Sequence, residues 1–258
     1  MDLIHTLLDR SRVHPQWQPL LGQALQSVDP VYLQTLLQDS DWLPGADCLF
    51  AAFQRDLEHC RYILFGESPY PRKTSANGIA FYDAAVDALW SESGLSKAVN
   101  RATSLRNLIK TALIAEGLIQ PDDQGSVPQS RIAALPKADL IQSIAELFRA
   151  FQQRGFLMFN ATPVLHTQRS VRRESQVWEP FVQQLLAAIA DYRQPLPTLV
   201  LWGNIAHRIQ ALPAAPGFPQ RVSEHPYNLS FLRNKDMLDL LAELKLMQRN
   251  PTESQPAP

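Results

Sequence analysis

The five residues Arg61–Phe65 (RYILF), closed by Gly66, decide how this chain reads. They form a short apolar run without polar alternation, as expected of a strand buried on both faces of a sheet. Two further runs have the same form, Gly155–Phe159 (GFLMF) and Pro197–Trp202 (PTLVLW), and a weaker fourth is Gln220–Glu224 (QRVSE). Each ends at a polar residue or a glycine. Between and after them apolar residues recur at helical spacing over 104–116, 138–151, 175–192, 204–212 and 234–247. Strands alternating with helices predict an α/β fold, a three-layer α/β/α sandwich around a central, mostly parallel four-stranded sheet.

The first sixty residues read as helical. Asp29 supplies a cap and Pro30 a first-turn residue before VYLQTLL, and Ala46–Leu57 repeats apolar residues at helical spacing through Leu49, Phe50 and Phe53. The stretch 117–130 (GLIQPDDQGSVPQS) is turn-rich without an apolar period and reads as an exposed loop. The end, RNPTESQPAP, is polar and proline-rich and reads as disordered. The organisation expected is a helical N-terminal extension over 1–40, one domain over 41–247 and a tail over 248–258.

Composition narrows the function. Of 258 residues 45% are hydrophobic and 19% charged, a globular balance, and 24 basic against 25 acidic residues leave a net charge of −1. An anionic partner must therefore be met by local patches, and a polybasic role is excluded. No apolar run approaches the roughly 20 residues that cross a bilayer, and no signal peptide opens the chain, so a cytoplasmic protein without a membrane partner is expected. Cys48 and Cys60 are too few for a four-cysteine metal site, and HExxH and CxxC spacings are absent. A disulfide between them is open in principle, and the reduced pair is the expected state. No metal or other cofactor is expected.

In open parallel sheets ligands bind beyond the carboxyl ends of the strands. Those positions hold Gly66-Glu67-Ser68-Pro69-Tyr70 after the first run, Asn160 after the second, Gly203-Asn204 after the third, and His225-Pro226-Tyr227-Asn228-Leu229-Ser230 after the fourth. A carboxylate, an amide, a histidine and the aromatics Tyr70 and Phe81 suit a planar, hydrogen-bonding ligand such as a nucleobase.

These segments resemble, in order, the motifs of the uracil-DNA glycosylase superfamily, family 1 above all. Gly66-Glu67-Ser68-Pro69-Tyr70-Pro71 is similar to the water-activating G-Q-D-P-Y-H, and Ala76-Asn77-Gly78-Ile79-Ala80-Phe81 to A-H-G-L-x-F at the family's spacing. Met158-Phe159-Asn160 resembles L-L-N, Trp202-Gly203-Asn204 resembles W-G-S, and the loop from His225 to Ser230 resembles H-P-S-P-L-S. The resemblance covers about residues 41–245.

What the resemblance implies can be set beside plainer readings. Phe81 would stack on an extruded uracil, or be an ordinary core aromatic. Tyr70 would exclude a methyl group at C5, or be a loop residue beside Pro69. Asn160 would pair with uracil O4 and N3–H, since an amide offers an acceptor and a donor, or simply cap a strand. His225 would offset the charge that develops on uracil O2, or be a satisfied loop histidine. Leu229 would fill the duplex in place of the extruded base, or be a buried leucine, with Asn204, Tyr227, Asn228 and Ser230 as its companions against DNA. Arg169, Arg172, Arg173, Lys97, Arg101, Arg106 and Lys110 are phosphate-contact candidates or solvated faces. His166 and His207 read as structural.

Three departures stand out. Ser68 occupies the position of the family's aspartate, and Glu67, where the iron–sulfur family 4 enzymes carry a glutamate in G-E-A-P-G, is the base that would replace it. Tyr227-Asn228 replaces Ser-Pro, and Pro71 replaces histidine. The expected function is a monomeric, monofunctional glycosylase removing uracil or another deaminated base from DNA. The alternatives are a weak or inactive member of the fold that binds nucleic acid or a protein, and an enzyme acting on a small nucleobase or nucleoside.

Overall fold

The computed structural model describes residues 3–122, 125–166 and 168–249. In chain order, α1 (Leu3–Arg10), α2 (Gln18–Leu25) and α3 (Pro30–Gln38) precede β1 (Trp42–Leu43) and β2 (Tyr62–Gly66). Next come β3 (Trp90–Ser91), β4 (Gly94–Leu95), α4 (Lys97–Arg101), α5 (Thr103–Ala115), α6 (Gln129–Ala133) and α7 (Ile144–Gln153). The rest is β5 (Phe156–Asn160), β6 (Leu165–His166), α8 (Val171–Tyr192), β7 (Thr198–Trp202), α9 (Ile205–Gln210), β8 (Gln220–Ser223) and α10 (Lys235–Leu244). The four runs read as strands are β2, β5, β7 and β8, and they form one sheet in the order β5-β2-β7-β8. The β5–β2 and β2–β7 pairs are parallel, so the α/β sheet expected from the alternation is present.

The chain forms two compact units, residues 1–85 with 155–222, and residues 86–154 with 223 onward. In the first, Ile63 and Phe65, Leu157 and Phe159, and Leu199 and Leu201 share one core with Phe181 and Leu185 of α8. The alternate residues Leu64, Met158 and Val200 are buried as well, which is why these runs carry no polar period. Leu7, Leu21, Ala24 and Leu33 of α1–α3 belong to that same core, so the N-terminal helices are part of this unit.

Asp29 caps α3 as its sequence position suggests, its carboxylate accepting from Val31 N at 2.9 Å. Ala46–Leu57 is not the helix that its spacing suggests. It is a series of turns with one 3-10 turn over Ala51–Phe53, because Ser11 recruits its backbone: Ser11 Oγ donates to Ala46 O at 2.9 Å and accepts from Phe50 N at 3.2 Å. Leu49, Phe50, Phe53 and Leu57 are buried all the same. Apolar spacing thus reports burial here without reporting helix.

In the second unit α5 packs against α10 and against the 3-10 turn over Leu229–Arg233. Ser143 caps α7 by accepting from Glu146 N, while Glu146 reaches back to Gln142 N at 2.7 Å, a reciprocal capping arrangement. The stretch 117–130 is less exposed than its composition suggests. Ile119 and Val127 are buried, and Lys110 Nζ donates to Val127 O at 2.7 Å; Asp123 and Gln124 lie outside the described residues. Of the expected tail, Gln248 bridges Leu140 and Arg249 N donates to Asp139 O, while residues 250–258 lie outside the described residues. Among the described residues no helix is long and apolar enough to cross a membrane.

Glu116 accepts from Met247 N at 2.8 Å just after α10. Burial pushes its carboxyl up from 4.5 to about 7, against the pull of the Met247 and Leu246 N–H groups, Arg154 and Lys245. The folded state therefore holds this proton more tightly than the unfolded chain, and the stability it contributes is full below about pH 4.5 and lost as pH rises through about 7. Urea titrations across that window should show stability falling with pH in the wild type and a flatter profile in Glu116→Gln. Equal slopes in the two proteins would refute the assignment.

Candidate functional site

The site in the first unit begins where β2 and β5 end side by side, with Gly66 paired to Asn160. The chains leave the sheet together: Ala161 N donates to Gly66 O and Thr162 N to Glu67 O, both at 2.9 Å. Gly66 is needed there because a Cβ at that position would lie 2.3 Å from Asn160 Oδ1 and 2.8 Å from Ala80 Cβ. The Asn160 side chain is thus laid directly against the backbone of β2. It is 4% exposed, and its amide makes no hydrogen bond to another described residue. An amide so enclosed and without a partner among the described residues has hydrogen-bonding capacity to spare.

The segment 76–81 is pinned onto this edge. Ala80 N donates to Met158 O at 3.1 Å, Ile79 N to Asn77 Oδ1 at 3.0 Å, and Gly78 turns at φ +81° where a Cβ would collide with Cys48 O. The next residue but two, Phe81, has φ +64°, a left-handed conformation that costs a bulky side chain of order 1–3 kcal/mol. Its ring stays half-exposed and stands edge-on to Trp202 at the end of β7, with centroids 5.1 Å apart and planes at 67°. Tyr70 Oη donates to Phe81 O at 3.4 Å, and burial pushes its phenol up to about 12, with Asp83 adding to the shift. Buried Asp83 accepts from Ala85 N at 3.0 Å and pairs with Arg72 at 3.1 Å, closing the loop that carries Phe81.

Glu67 is exposed and Ser68 half-buried, and neither side chain bonds another described residue. Asn204, the exposed residue at the start of α9, follows Gly203 at φ +73° and makes no capping bond with its side chain. Of the arginines considered for phosphate contact, Arg169 pairs with buried Glu174 at 3.5 Å and lies over the Tyr32 ring, whereas Arg172 and Arg173 are exposed. His166 is buried near the same Glu174, at 4.0 Å. Gly66 and Trp202 stand in the quoted motifs without a role of their own there, and Asp83, two residues past Phe81, lies outside every motif.

The loop His225–Ser230 belongs to the second unit. Tyr227 N donates to His225 Nδ1 at 3.1 Å and Asn228 N to His225 O at 2.9 Å, a tight turn around the imidazole. A ring nitrogen that accepts a hydrogen bond is unprotonated, so the neutral ring carries its proton on Nε2 and presents a donor there. Tyr227 and Leu229 are 66% and 71% exposed, so Leu229 is no buried core leucine. Ser230 bonds the Glu224 carboxylate, which also accepts from Asn234 Nδ2 at 2.8 Å and is held below the usual range by these donors despite partial burial. In this unit Arg106 and Lys110 are occupied with the carbonyls of Asn100 and Val127, and Lys97 and Arg101 are exposed.

Among the described residues no group of three or more His, Cys, Asp or Glu side chains could hold a metal ion. Cys48 and Cys60 are free thiols, and burial pushes that of Cys60 up to about 12.

No protein-family profile matches the chain. It is 25% identical over 228 residues to a uracil-DNA glycosylase of Corynebacterium glutamicum, covering 88% of this chain and 84% of that protein. A uracil-DNA glycosylase of Streptococcus suis is 24% identical over 230 residues, with 85% and 87% covered. The crystal structure of the wild-type UNG from Nitratifractor salsuginis superposes with a TM-score of 0.90 at 38% identity, over 96% of this chain and 97% of that one. The mimivirus uracil-DNA glycosylase, at 18% identity and a TM-score of 0.55, shares the fold.

The packing of Gly66 against Asn160 has a direct test. Gly66→Ala should lower stability by about 1–3 kcal/mol through overpacking, read by urea denaturation, and should displace the Asn160 amide. A variant as stable as the wild type, with Asn160 unmoved in a crystal structure, would contradict that close approach.

Proposed function

The chain belongs to the uracil-DNA glycosylase superfamily, and from that premise we propose that it hydrolyses the N-glycosidic bond of uracil, or another deaminated base, in DNA. The observation that carries this reading is the Asn160 amide, enclosed against Gly66 and without a partner among the described residues. An acceptor and a donor on one side chain can pair with the O4 and N3–H edge of uracil. Phe81, held in its left-handed conformation beside Trp202, offers the face on which a planar base stacks. Tyr70 bounds the site where thymine would bring its methyl group.

The bond that breaks is C1′–N1. Its electron pair leaves with the base, whose O2 gathers negative charge, and an oxocarbenium-like sugar remains. In this reading His225 serves that step as a hydrogen-bond donor: with Nδ1 accepting from Tyr227 N, the neutral ring carries its proton on Nε2 and can give a hydrogen bond to the oxyanion without surrendering the proton early. Water then adds at C1′ and loses a proton. Ser68 lacks the charge to take that proton or to offset the sugar cation. Glu67, exposed and unpaired among the described residues, is the carboxylate in that segment able to do so. Leu229 and Tyr227 present apolar surface for contact with unstacked bases. The near-neutral net charge supplies no long-range attraction, so binding should depend on salt with a slope of only a few phosphates. The partner is DNA, the working form a monomer, and the setting the cytoplasm.

A single-turnover assay on uracil-containing single-stranded and duplex oligonucleotides, followed by alkali to reveal abasic sites, tests the reading. Glu67→Gln should slow cleavage by roughly 10²–10⁴, the range for a lost general base, with base binding retained. Asn160→Asp should alter or abolish base acceptance. A wild type at background level, restored by Ser68→Asp, would instead favour the inactive nucleic-acid-binding alternative. An active enzyme indifferent to Glu67→Gln would leave Glu67 without its role.

A further inference from the structure

Asn107 stands in the middle of α5 and is completely buried. An amide there is a weak helix former and costs free energy unless it is hydrogen-bonded. Its Nδ2 donates to the carbonyl of Pro226 at 2.7 Å and to that of Tyr227 at 3.3 Å. Two carbonyls can be met only by the NH₂ end, which fixes the orientation of the side chain. Oδ1 is then left buried with no partner among the described residues, an arrangement that costs free energy. Within its own helix, Thr111 Oγ1 donates to the Asn107 carbonyl at 2.8 Å, a bond that does not involve the amide. The reason for the amide lies in what it holds.

It holds the peptide group between Pro226 and Tyr227. The carbonyl of that peptide accepts from Asn107, and the N–H of the same peptide donates to His225 Nδ1. A hydrogen bond at a peptide carbonyl polarises the group and strengthens its N–H as a donor. Pro226 has no N–H of its own and a restricted φ, so no second donor in the turn competes for the imidazole from that position. We infer that Asn107 is a positioning residue which, acting through the Pro226–Tyr227 peptide, sets the ring orientation and tautomer of His225. It touches neither base nor sugar. The inference rests on the glycosylase reading for the use made of His225; the setting of the ring is a property of this loop and α5 alone.

Ring-nitrogen NMR of His225, its signal assigned by comparison with His225→Gln, reads the tautomer directly. The wild type should show the Nε2–H form. Asn107→Leu, which keeps side-chain bulk and removes the donor, should bring in the Nδ1–H form and lower kcat roughly tenfold to a hundredfold on a uracil-containing oligonucleotide, with KM little changed. Thr111→Val removes the neighbouring bond in the same helix and should leave both readouts as they are. An unchanged His225 signal in folded Asn107→Leu overturns the inference, as does an equal shift in Thr111→Val or a rise in KM with kcat intact. Should Asn107→Leu fail to fold, the wild type still decides, through the scalar coupling across the hydrogen bond from Asn107 Nδ2 to the Pro226 carbonyl carbon. Absence of that coupling overturns the inference; its presence, with a His225 shift in the milder Asn107→Ser, supports it. A wild type that cleaves no uracil substrate would sink the glycosylase reading, while the NMR comparison would still report on Asn107.

Discussion

The register that pairs Gly66 with Asn160 is the constraint on which the first unit's site depends. Parallel strands place both residues at the same carboxyl edge, and the missing Cβ of Gly66 admits the Asn160 amide to contact with the neighbouring backbone. Shifting the pairing by one residue would turn every side chain of β5 to the opposite face and carry the amide away from this edge. Because Ile63, Phe65, Leu157 and Phe159 are buried in one shared core, such a slip would also pull the core apart. The same packing that stabilises the sheet therefore holds the amide at its position, and no separate scaffold is required.

Around that edge the protein tolerates local costs that a purely structural loop would avoid. Phe81 keeps a left-handed backbone, and Gly78 turns against Cys48 O where no side chain would fit. The bonds from Ala80 to Met158 and from Asp83 to Arg72 and Ala85 over-determine the segment and hold it in this conformation. In the second unit the Oδ1 of Asn107, buried without a partner among the described residues, is a cost of the same kind, incurred where the amide's donors serve a loop that carries a histidine. Strain and unsatisfied groups concentrate where geometry matters for chemistry.

Charge is handled differently at the two ends of the proposed reaction. Under the proposed function the leaving base would be met by neutral groups, the amide of Asn160 and the imidazole of His225, whose Nδ1 accepts from Tyr227 N. At the sugar the family's aspartate is missing, and an exposed glutamate stands one residue away from where it would be. A carboxylate that remains in water is a weaker electrostatic partner than an enclosed one, because solvent screens it. A reaction that runs through a dissociative transition state places most of its demand on the leaving group, the end at which Asn160 and His225 would act under the proposed function.

Much of this was legible in the sequence. The three doubly buried strands show as uninterrupted apolar runs, since a strand covered on both faces has no polar side to alternate with. Asp29 with Pro30 marks a helix start because capping is a local interaction, and ordered motifs locate the strand ends. Helical spacing misled at Ala46–Leu57, where a hydroxyl from Ser11, thirty-five residues from Ala46, takes the backbone bonds that a helix would have used. Composition misled at 117–130, where Ile119 and Val127 are buried and Lys110 Nζ donates to Val127 O. Asn107 was invisible, being one polar residue within a helix and distant in sequence from the peptide that it holds. What the sequence by itself determined is which segments are strands, which are helices and which residue types stand at the strand ends, because those follow from burial period and local hydrogen bonding. Only the tertiary structure decided that Gly66 admits Asn160, that Phe81 is held at positive φ and that Asn107 reaches His225 through a peptide, because each depends on groups brought within about 3 Å by packing and not by proximity along the chain.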